Sequence, residues 1–220
     1  MCAHKGFSVI DIFPLIKDKK HVIWDWNGTL LNDLTTVVKA LEKMAQNLKI
    51  EPIDKHTYLK HFRFPVQEFY KDIGFPTSDE EFAALSEDFH ANYAEAFHTA
   101  ELFSDAQNLL ESVKKMGSKQ SILTAAFQKH IDQWLLDFEI DHLFDHVYGL
   151  PDKLAKCKVD RGRELIELAQ VDLDHTVLLG DTTHDLEVGK SLGIDVILLT
   201  NGHQHEDRLK KVHHAIFQRA

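Results

Sequence analysis

The sequence predicts an α/β fold: a doubly wound, Rossmann-like parallel sheet into which an all-helical segment is inserted. Three observations lead to this prediction. Short apolar runs alternate with helical patterns over residues 102–199, residues 33–100 show helical periodicity with no convincing strand, and an apolar run at residues 22–24 precedes both regions. Strands that alternate with helices at this spacing are typical of a parallel sheet with helices on both faces.

The composition is ordinary for a globular protein, with 44% apolar and 27% charged residues in a chain of 220. No apolar run approaches the roughly 20 residues that span a bilayer, and the N-terminus lacks the continuous apolar segment of a secretory signal. The two cysteines fit a reducing cytoplasm better than a disulfide scaffold. A net charge of −10 argues against nucleic-acid and anionic-membrane partners, which require a basic surface. We therefore expect a cytoplasmic protein.

The first 33 residues contain one strand and one sharp turn. Residues 22–24 form a buried strand that brings Asp25 to its carboxyl end, and Gly28 allows the turn that follows. Trp26 should point away from Asp25 into the core, and Asp33 is interpreted as the N-cap of the next helix. Residues 1–20 are expected to form an amphipathic lead-in with these side chains on the core: Val9, Ile10, Ile12, Phe13, Leu15 and Ile16.

Residues 33–100 are predicted to be helical. The first helix has one apolar face, formed by Leu34, Val37, Val38, Leu41, Met44, Ala45 and Leu48. Shorter helices fit residues 56–62 and 65–73, and Ser78 with Glu81 forms a capping box that begins a helix reaching Ala100. The apolar stripe of this last helix is expected to be core: Phe82, Leu85, Phe89, Tyr93 and Phe97.

Strands and helices alternate after residue 102. Ser104 and Gln107 are interpreted as a second capping box, and the helix that it begins ends at Gly117. The following elements are a strand at 120–124, a helix at 128–138, a strand at 146–148, a helix at 161–169, a strand at 176–179, a helix ending at Leu192 and a strand at 196–199.

Polar residues follow three of these strands where a parallel sheet collects its ligands, at the carboxyl ends. They are Asp25, Thr124 and the G-D-T-T-H-D run that holds Asp181 and Asp185; Lys158 lies just before a helix. This set suits phosphoryl transfer. One carboxylate can attack phosphorus, a hydroxyl and an ammonium can hold phosphoryl oxygens, and the remaining carboxylates can bind Mg²⁺. Backbone N–H groups of the turn after Asp25 would add to the phosphate cradle.

These residues, in this order, resemble the haloacid dehalogenase (HAD) superfamily, in the phosphoglycolate-phosphatase-like subgroup with a helical (C1-type) cap. The D-W-N-G-T-L run at residues 25–30 is similar to the first motif of that family, and Thr124 to its second. Lys158 fits the third motif by spacing better than Lys153 or Lys156 does. The fourth, G-D-x-x-x-D, is matched at residues 180–185. The resemblance implies a catalytic core of residues 1–32 plus 101–220 and a cap of residues 33–100, which would close over the site and choose the substrate.

The resemblance also implies a role for each residue of the site. Asp25 would be the nucleophile that forms an aspartyl-phosphate and also a metal ligand, and the backbone carbonyl of Asn27 would bind the metal. Asp181 would bind Mg²⁺ directly, and Asp185 would hold the metal shell or the lysine. The residues expected to bind the phosphoryl group or substrate are Gly28, Thr29, Thr124, Ala125 and Lys158.

The chain departs from the family pattern at Asn27, where family phosphatases carry a second Asp. That carboxyl group protonates the leaving group and then activates water, and an amide does neither. Loss of acid–base help typically costs on the order of 10²–10⁴ in rate. Four residues are candidate substitutes for the missing acid: His61, Glu68, His184 and His203. Arg63 is a candidate contact for an anionic substrate.

The sequence therefore predicts a Mg²⁺-dependent phosphatase of a small phosphorylated metabolite, weakened in its acid–base step. Two alternatives stay open. One is other chemistry with an aspartate nucleophile, either phosphonatase-like with a cap lysine such as Lys60 or Lys71, or dehalogenase-like, which the intact acidic motif disfavours. The other is a non-catalytic HAD protein that binds a phosphorylated ligand or a partner protein. The sequence names neither the substrate nor the oligomeric state, which is a monomer or a homodimer.

Overall fold

The central layer of the protein is a parallel sheet of six strands, in the order β5–β4–β1–β6–β7–β8. The structure, a computed structural model, describes residues 12–155 and 157–218. Its strands are β1 (His21–Trp24), β2 (Leu31–Asn32), β3 (Glu101–Leu102), β4 (Lys119–Phe127), β5 (His146–Leu150), β6 (Thr176–Gly180), β7 (Asp195–Leu199) and β8 (Ile216–Phe217). The predicted parallel sheet with flanking helices is confirmed.

Helices cover the sheet and form most of the segment between β2 and β3. They are α1 (Phe13–Ile16), α2 (Leu34–Leu48), α3 (Lys55–His61), α4 (Val66–Asp72), α5 (Asp79–Ala96), α6 (Ala106–Met116), α7 (Gln128–Asp137), α8 (Val159–Leu168), α9 (Thr183–Leu192) and α10 (Glu206–Lys210). Three short 3₁₀ turns cover Phe97–Thr99, Asp141–Leu143 and Leu173–His175.

Strand β1 lies in the middle of the sheet, hydrogen-bonded to β4 on one side and β6 on the other. All four of its residues are buried, because apolar clusters from the helices cover both faces of the sheet. Strands buried on both faces have continuous apolar sequences, which explains the V-I-W run. Trp24 is opposite Ile122 of β4 and Leu179 of β6. The residues just after these three positions therefore meet at one edge of the sheet.

The helical segment, which we define as residues 34–99, has an apolar cluster of its own, with Leu41, Met44, Tyr58 and Phe69 nearly fully buried. It joins the sheet through β2 and β3, which pair antiparallel to each other. This small ribbon was not predicted, because two residues are too few to show a strand period. The division of the chain into a core (1–32 plus 101–220) and a cap (33–100) remains a prediction.

Most helix boundaries agree with the sequence analysis to within two residues, but α5 ends at Ala96 and a 3₁₀ turn takes the place of its predicted last turn. Ser78 and Glu81 form the predicted capping box at α5. At α6 the N-cap is Asp105, whose side chain makes no capping hydrogen bond, so the capping box assigned to Ser104 and Gln107 is wrong. A matching residue spacing does not by itself make a cap, because the N-cap residue must also leave the helical region of backbone angles.

The N-terminal lead-in is described only from residue 12. Ile12 and Ile16 are buried as expected, whereas Leu15 is 36% exposed. Val9 and Ile10 lie outside the described residues. Strand β4 runs past the predicted end to Phe127, and α10 and β8 were not predicted. No helix in the ranges 12–155 and 157–218 combines the length and the apolar character that a bilayer span requires.

Candidate active site

Asp25 stands at the carboxyl edge of the sheet, one residue past β1. Its N–H donates to the carbonyl oxygen of Leu179 at 2.8 Å, which extends the ladder with β6 and fixes the start of the turn. The residue is 7% exposed. Burial raises the pKa of this carboxyl, and the nearby carboxylates of Asp185 and Asp181 add to the rise, while Lys158 offsets it only in part. Asp25 is thus a buried carboxyl group that needs cations around it.

Lys158 provides one such cation. Its Nζ lies 2.5 Å from Oδ1 of Asp25 and 2.7 Å from Oδ1 of Asp185, and the side chain is 2% exposed. Burial lowers the pKa of the ammonium, but the two carboxylates outweigh this effect and raise the pKa above its ordinary value. The structure therefore brings Lys158 to Asp25, as its spacing predicted. Lys153 instead pairs with Glu87, and Lys156 is outside the described residues.

Asp181 follows β6 and is fully buried. Its Oδ2 accepts from the backbone N–H of His203 at 2.5 Å and its Oδ1 from the hydroxyl of Thr29 at 3.2 Å. Gly28 and Gly202 allow this close packing, since a Cβ at either position would overlap the Asp181 carboxylate, and Gly28 also has a φ of 75°. Burial raises the pKa of Asp181, partly offset by His203.

Asp185 lies in the first turn of α9 and is held by the N-terminus of that helix. Its Oδ2 accepts from the N–H of Thr182 at 3.0 Å and from the hydroxyl of Thr182 at 2.6 Å, which forms a capping box. Although burial raises the pKa of Asp185, Lys158 and these hydrogen bonds outweigh it and lower the pKa below its ordinary value. Asp185 is therefore an anion that orients both α9 and Lys158.

These carboxylates form a candidate metal centre. Ligand oxygens of Asp25, Asp181 and Asp185 all lie within 4.8 Å of one another. Asp25 and Asp185 share the ammonium of Lys158, and Asp181 has no such partner among the lysines that the structure describes. Burial raises the pKa of both Asp25 and Asp181, so a further cation would stabilise their charged forms. Hard carboxylate oxygens in this number suit Mg²⁺. The donor set therefore fits the ion that the sequence predicted.

Thr124 and Ala125 lie in the last part of β4 and line the cavity described below. Thr124 is 1% exposed, and its Oγ1 accepts from the N–H of Ala126 at 3.1 Å, which leaves its hydroxyl hydrogen available. Gly28 and Thr29 are not among the described residues that line the cavity. The N–H of Gly28 donates to the Leu31 carbonyl at 2.8 Å and that of Thr29 to the Trp26 carbonyl at 3.2 Å.

The predicted substrate contacts of Gly28 and Thr29 therefore need correction. A tight turn uses its own N–H groups to close on itself, which makes them unavailable to a phosphate. The structure places both residues behind Asp181, where Gly28 gives room and Thr29 a hydrogen bond. Trp26 is fully buried in the core next to the sheet, as expected.

Asn27 lies two residues after Asp25 and faces the cavity. Its Nδ2 donates to Oδ2 of Asp33 at 2.8 Å and to the hydroxyl of Tyr93 at 3.2 Å. Tyr93 in turn donates to Oδ2 of Asp33 at 2.8 Å. The amide is therefore held by a closed triangle of hydrogen bonds, which joins the turn after β1 to helix α5.

Asp33 is the centre of this network, whereas the sequence analysis interpreted it only as a helix N-cap. It occupies the N-cap position of α2, but its side chain makes no cap hydrogen bond. Instead, Oδ1 accepts from the Gly28 N–H at 3.2 Å and pairs with Nε2 of His203 at 3.0 Å. The predicted N-cap position is confirmed, but the side chain does not cap the helix, because the carboxylate, which is fully buried, turns toward the site. The burial of Asp33 and the missing capping hydrogen bond indicate its role in the site, and neither feature can be read from the sequence alone.

His203 is bound on both ring nitrogens. Nε2 faces Asp33, and Nδ1 lies 2.9 Å from the hydroxyl of Tyr58 in α3. Burial lowers the pKa of the imidazole, but Asp33 outweighs this effect and raises it to about 9. Burial raises the pKa of Asp33, but the pairing with His203 and the hydrogen bonds from Asn27 and Tyr93 outweigh this effect and lower the pKa below its ordinary value. The two residues form an ion pair, so His203 has no ring nitrogen free to protonate a leaving group.

The other candidate acids lie away from the cavity. Within the described residues that line it, His203 is the only one of the four. His184 stacks on Phe64 with ring centres 4.6 Å apart, and Glu68 pairs with Arg63. Arg63 also pairs with Asp72 at 2.7 Å, which holds its guanidinium on the surface. The structure thus brings neither Arg63 nor a substitute acid to the site.

A cavity of about 140 Å³ begins at Asp25 and runs between the sheet edge and the helical segment. Asp25, Thr124, Lys158, Asp181 and Asp185 form one end. The helical segment, together with Trp134 and Leu154, forms the opposite wall, mainly with apolar and aromatic side chains. A molecule bound here would place one end on the carboxylate cluster and the other against the helices.

Comparisons with known proteins agree with this arrangement. The profile of the haloacid dehalogenase-like hydrolases matches residues 22–199. A phosphoglycolate phosphatase of Rhodospirillum rubrum is 25% identical over 199 residues, which cover 85% of this chain and 82% of that protein. The pyrophosphatase PpaX of Halalkalibacterium halodurans is 20% identical over 194 residues, covering 86% and 87%.

Solved structures show the same fold. A haloacid dehalogenase-like family hydrolase from Streptococcus pneumoniae, SP0104, superposes with a TM-score of 0.73 at 19% sequence identity, and the match covers 92% of this chain and 95% of that one. At this identity the likeness is one of fold alone. The family profile spans β1 to β7 and therefore includes each strand that carries a residue of the site.

Proposed function

The chain belongs to the haloacid dehalogenase-like hydrolase family, and from this premise we propose that it is a Mg²⁺-dependent phosphatase of a small phosphorylated metabolite. The observation that carries the proposal is the buried cluster of Asp25, Lys158, Asp181 and Asp185 at one end of a closed-in cavity. Such a cluster is costly to bury, and a phosphoryl group with a divalent cation would satisfy it. In this account Asp25 is the nucleophile and the helical segment is a cap that selects the substrate.

Each residue of the cluster would have a separate task. Lys158 stays protonated at neutral pH because two carboxylates hold its proton, so it can bind phosphoryl oxygens and orient Asp25. Thr124 has a hydroxyl hydrogen to donate to another of those oxygens. Asp25, Asp181, Asp185 and the carbonyl of Asn27 would hold Mg²⁺. When bound, the ion neutralises charge so that a carboxylate can approach an anionic ester.

The reaction proceeds in two displacements at phosphorus. In the first, an oxygen of Asp25 forms a bond to phosphorus and the bond to the ester oxygen breaks, which gives an aspartyl-phosphate and releases the alcohol. In the second, water forms a bond to phosphorus and the bond to Asp25 breaks, which releases phosphate and restores the carboxylate. The first step needs a proton for the alcohol and the second needs a base for the water.

Asn27 supplies neither proton transfer. Its Nδ2 is committed to Asp33 and Tyr93, so the amide can position groups by hydrogen bonding but cannot act as an acid or a base. We therefore propose that esters of acidic alcohols react fastest in the first step, because their leaving groups need no proton donor. Hydrolysis of the aspartyl-phosphate is then the slow step.

The relatives support the reaction class and leave the substrate open. Those named above are a phosphoglycolate phosphatase and a pyrophosphatase, and both names describe removal of a phosphoryl group from a small anion. At 20–25% identity we carry over the class, phosphatase, and not either substrate.

The test is release of nitrophenol and phosphate from p-nitrophenyl phosphate, whose good leaving group needs no acid. We expect turnover by the wild-type protein with Mg²⁺ and none after chelation. Asp25→Asn should lower turnover by about three orders of magnitude or more, whereas Asp174→Asn, an exposed residue, should not. Wild-type turnover that survives in Asp25→Asn would contradict the proposal. Tight phosphate binding without turnover would instead identify a binding protein.

A further inference from the structure

The cavity has two chemically different ends. The end at the sheet carries the carboxylates and Lys158, while the far wall is formed by side chains such as Val37, Leu41, Phe62, Phe89, Trp134 and Leu154. If the phosphoryl group occupies the sheet end, as the proposed function requires, the rest of the substrate lies against the apolar wall. The chemistry of this wall therefore indicates which kind of leaving group the cavity can bind.

A second charge on the leaving group would find no partner there. Among the described residues that line the cavity, the cationic or basic ones are His90, Lys153, Lys158 and His203. Lys158 is paired with Asp25 and Asp185, and His203 with Asp33. The remaining two must be considered separately.

His90 and Lys153 do not offer a charge to the cavity. The ammonium of Lys153 lies 2.6 Å from the exposed carboxylate of Glu87, which draws it to the surface. His90 uses Nε2 to donate to the Lys153 carbonyl at 3.3 Å, so its other ring nitrogen carries no proton, and burial lowers its pKa to about 4. Within the described residues, the far end of the cavity therefore has no unpaired cation at neutral pH.

The space available fits a small group. The whole cavity, which includes the end proposed for the phosphoryl group, measures about 140 Å³. Because an apolar cavity of about 150 Å³ holds a single benzene ring, the leaving group must be small, on the scale of one ring. Burying an unpaired carboxylate or phosphate in such a place is strongly unfavourable, whereas burying a ring or a short branched chain is favourable.

From these observations we infer that the substrate is the phosphate monoester of an uncharged, apolar alcohol or phenol about the size of one ring. This inference deepens the proposed function and rests on it. Phenols fit best, because they leave without the proton that Asn27 cannot supply. Phe89, which lines the cavity from α5 and contacts the ring of Tyr93 at 5.7 Å between centres, would then be a specificity-determining residue.

The test compares two esters that differ in charge but not in shape. In 4-isopropylphenyl phosphate an isopropyl group takes the place of the carboxylate of 4-carboxyphenyl phosphate. The phenol that carries the carboxylate is the more acidic of the two, so leaving-group acidity alone would favour the carboxylate ester. We expect the wild-type kcat/KM to be at least about tenfold higher for the isopropyl ester, because the carboxylate would be buried without a partner. p-Nitrophenyl phosphate is assayed beside them as the reference substrate, to show whether the protein has any phosphatase activity.

Two substitutions at one position supply matched variants. Phe89→Leu keeps the wall apolar and should retain the preference for the isopropyl ester. Phe89→Lys introduces a cation and should reduce the preference by about tenfold or reverse it. Because each variant is judged by the ratio of the two esters, a general loss of folded protein does not alter the result.

The outcomes separate the inference from the proposed function. Equal kcat/KM values for the two esters, or a preference for the carboxylate, would overturn the inference and leave the proposed function intact. The same holds if the ratio is unchanged in Phe89→Lys. If none of the three esters is hydrolysed, the proposed function fails and the inference fails with it.

Discussion

The Nδ2 of Asn27 donates to the carboxylate of Asp33 across 2.8 Å, so that an amide faces an anion two residues after the proposed nucleophile. Asp33 is fixed as an anion by three further donors, which are the Gly28 N–H, the Tyr93 hydroxyl and the His203 ring. A carboxylate at position 27 would instead contact another carboxylate. The network around Asp33 thus explains physically why an amide is tolerated, and favoured, at this point.

Asn27→Asp should therefore lower turnover of p-nitrophenyl phosphate rather than restore a more usual phosphatase. Two carboxyl groups in contact cannot both ionise, so the new one would keep its proton, directed at Asp33, and act as neither free acid nor base. The double variant Asn27→Asp/Asp33→Asn restores one amide and one carboxylate. Its kcat should exceed that of the single variant by about tenfold, within the 0.5–3 kcal/mol range typical of coupled neighbours.

The control for this pair is Asn32→Asp, which adds the same charge at an exposed neighbouring residue of β2 and should leave kcat unchanged. A single variant Asn27→Asp that is more active than wild type would show that the amide only weakens an ordinary phosphatase. The account of Asp33 as the residue that requires an amide would then be wrong.

Lys158→Met should destabilise the metal-free protein. It leaves Asp25 and Asp185 buried with no cation beside them, and breaking a buried pair in this way typically costs about 3–5 kcal/mol. The free energy of unfolding, from urea titration with chelator present, measures the effect. Lys43→Met removes a solvent-exposed pair with Glu95 and should change stability little. A change in Lys158→Met as small as that in Lys43→Met would mean that the cluster is not electrostatically coupled.

Mg²⁺ should stabilise the wild-type protein and not Asp181→Asn. An ion that binds only the folded state adds about 2.7 kcal/mol at 100 times its Kd, which appears as a rise in Tm. Without metal, Asp181→Asn should be at least as stable as wild type, because it removes a carboxyl group whose pKa burial has raised. Asp174→Asn should respond to Mg²⁺ as wild type does. An equal Mg²⁺ shift in Asp181→Asn would remove Asp181 from the ligand set.

His21 should make the protein sensitive to acid. Its ring lies 2.7 Å from the hydroxyl of Ser121 in the sheet interior, and burial lowers its pKa from 6.5 to about 4. The neutral form is favoured by folding, so this contribution is complete above pH 6.5 and is lost as the pH falls from 6.5 to 4. The loss amounts to up to about 3 kcal/mol.

Urea unfolding at pH 7 and pH 4.5 checks the prediction for His21. Wild type should lose roughly 2 kcal/mol or more beyond what His21→Asn loses between these pH values, and the His21 imidazole should titrate near pH 4 by NMR. Equal losses in the two proteins, or a titration near the ordinary value for histidine, would contradict it.

The sequence predicted the parallel sheet, because apolar runs alternate with helical patterns along the chain. It also predicted that Asp25, Thr124 and Asp181 meet, because each follows or ends a strand at the carboxyl edge of that sheet. The resemblance to the third motif of the family selected Lys158 among three nearby lysines, and the structure brings its Nζ to Asp25. The sheet and its strand ends depend on backbone geometry, which local sequence largely specifies.

The sequence could not predict the roles of Asp33, Tyr93 and Phe89. Asp33 has a sequence context identical to that of a helix cap, and only the position of His203, 170 residues away, turns its carboxylate inward. Tyr93 and Phe89 belong to an apolar stripe that serves partly as core and partly as cavity wall. Which side chain does which depends on how the helical segment lies over the sheet, and periodicity carries no information about that.

The most direct measurement is rapid mixing of the wild-type protein and Mg²⁺ with p-nitrophenyl phosphate, followed by acid quenching and peptide mass analysis. Because Asn27 cannot activate water, we predict a burst of nitrophenol equal to the enzyme concentration, then slower turnover. The quenched protein should carry one phosphoryl group on the peptide that contains Asp25. Linear release of nitrophenol without a burst, and with no modified peptide while turnover continues, would contradict slow hydrolysis of an aspartyl-phosphate on Asp25.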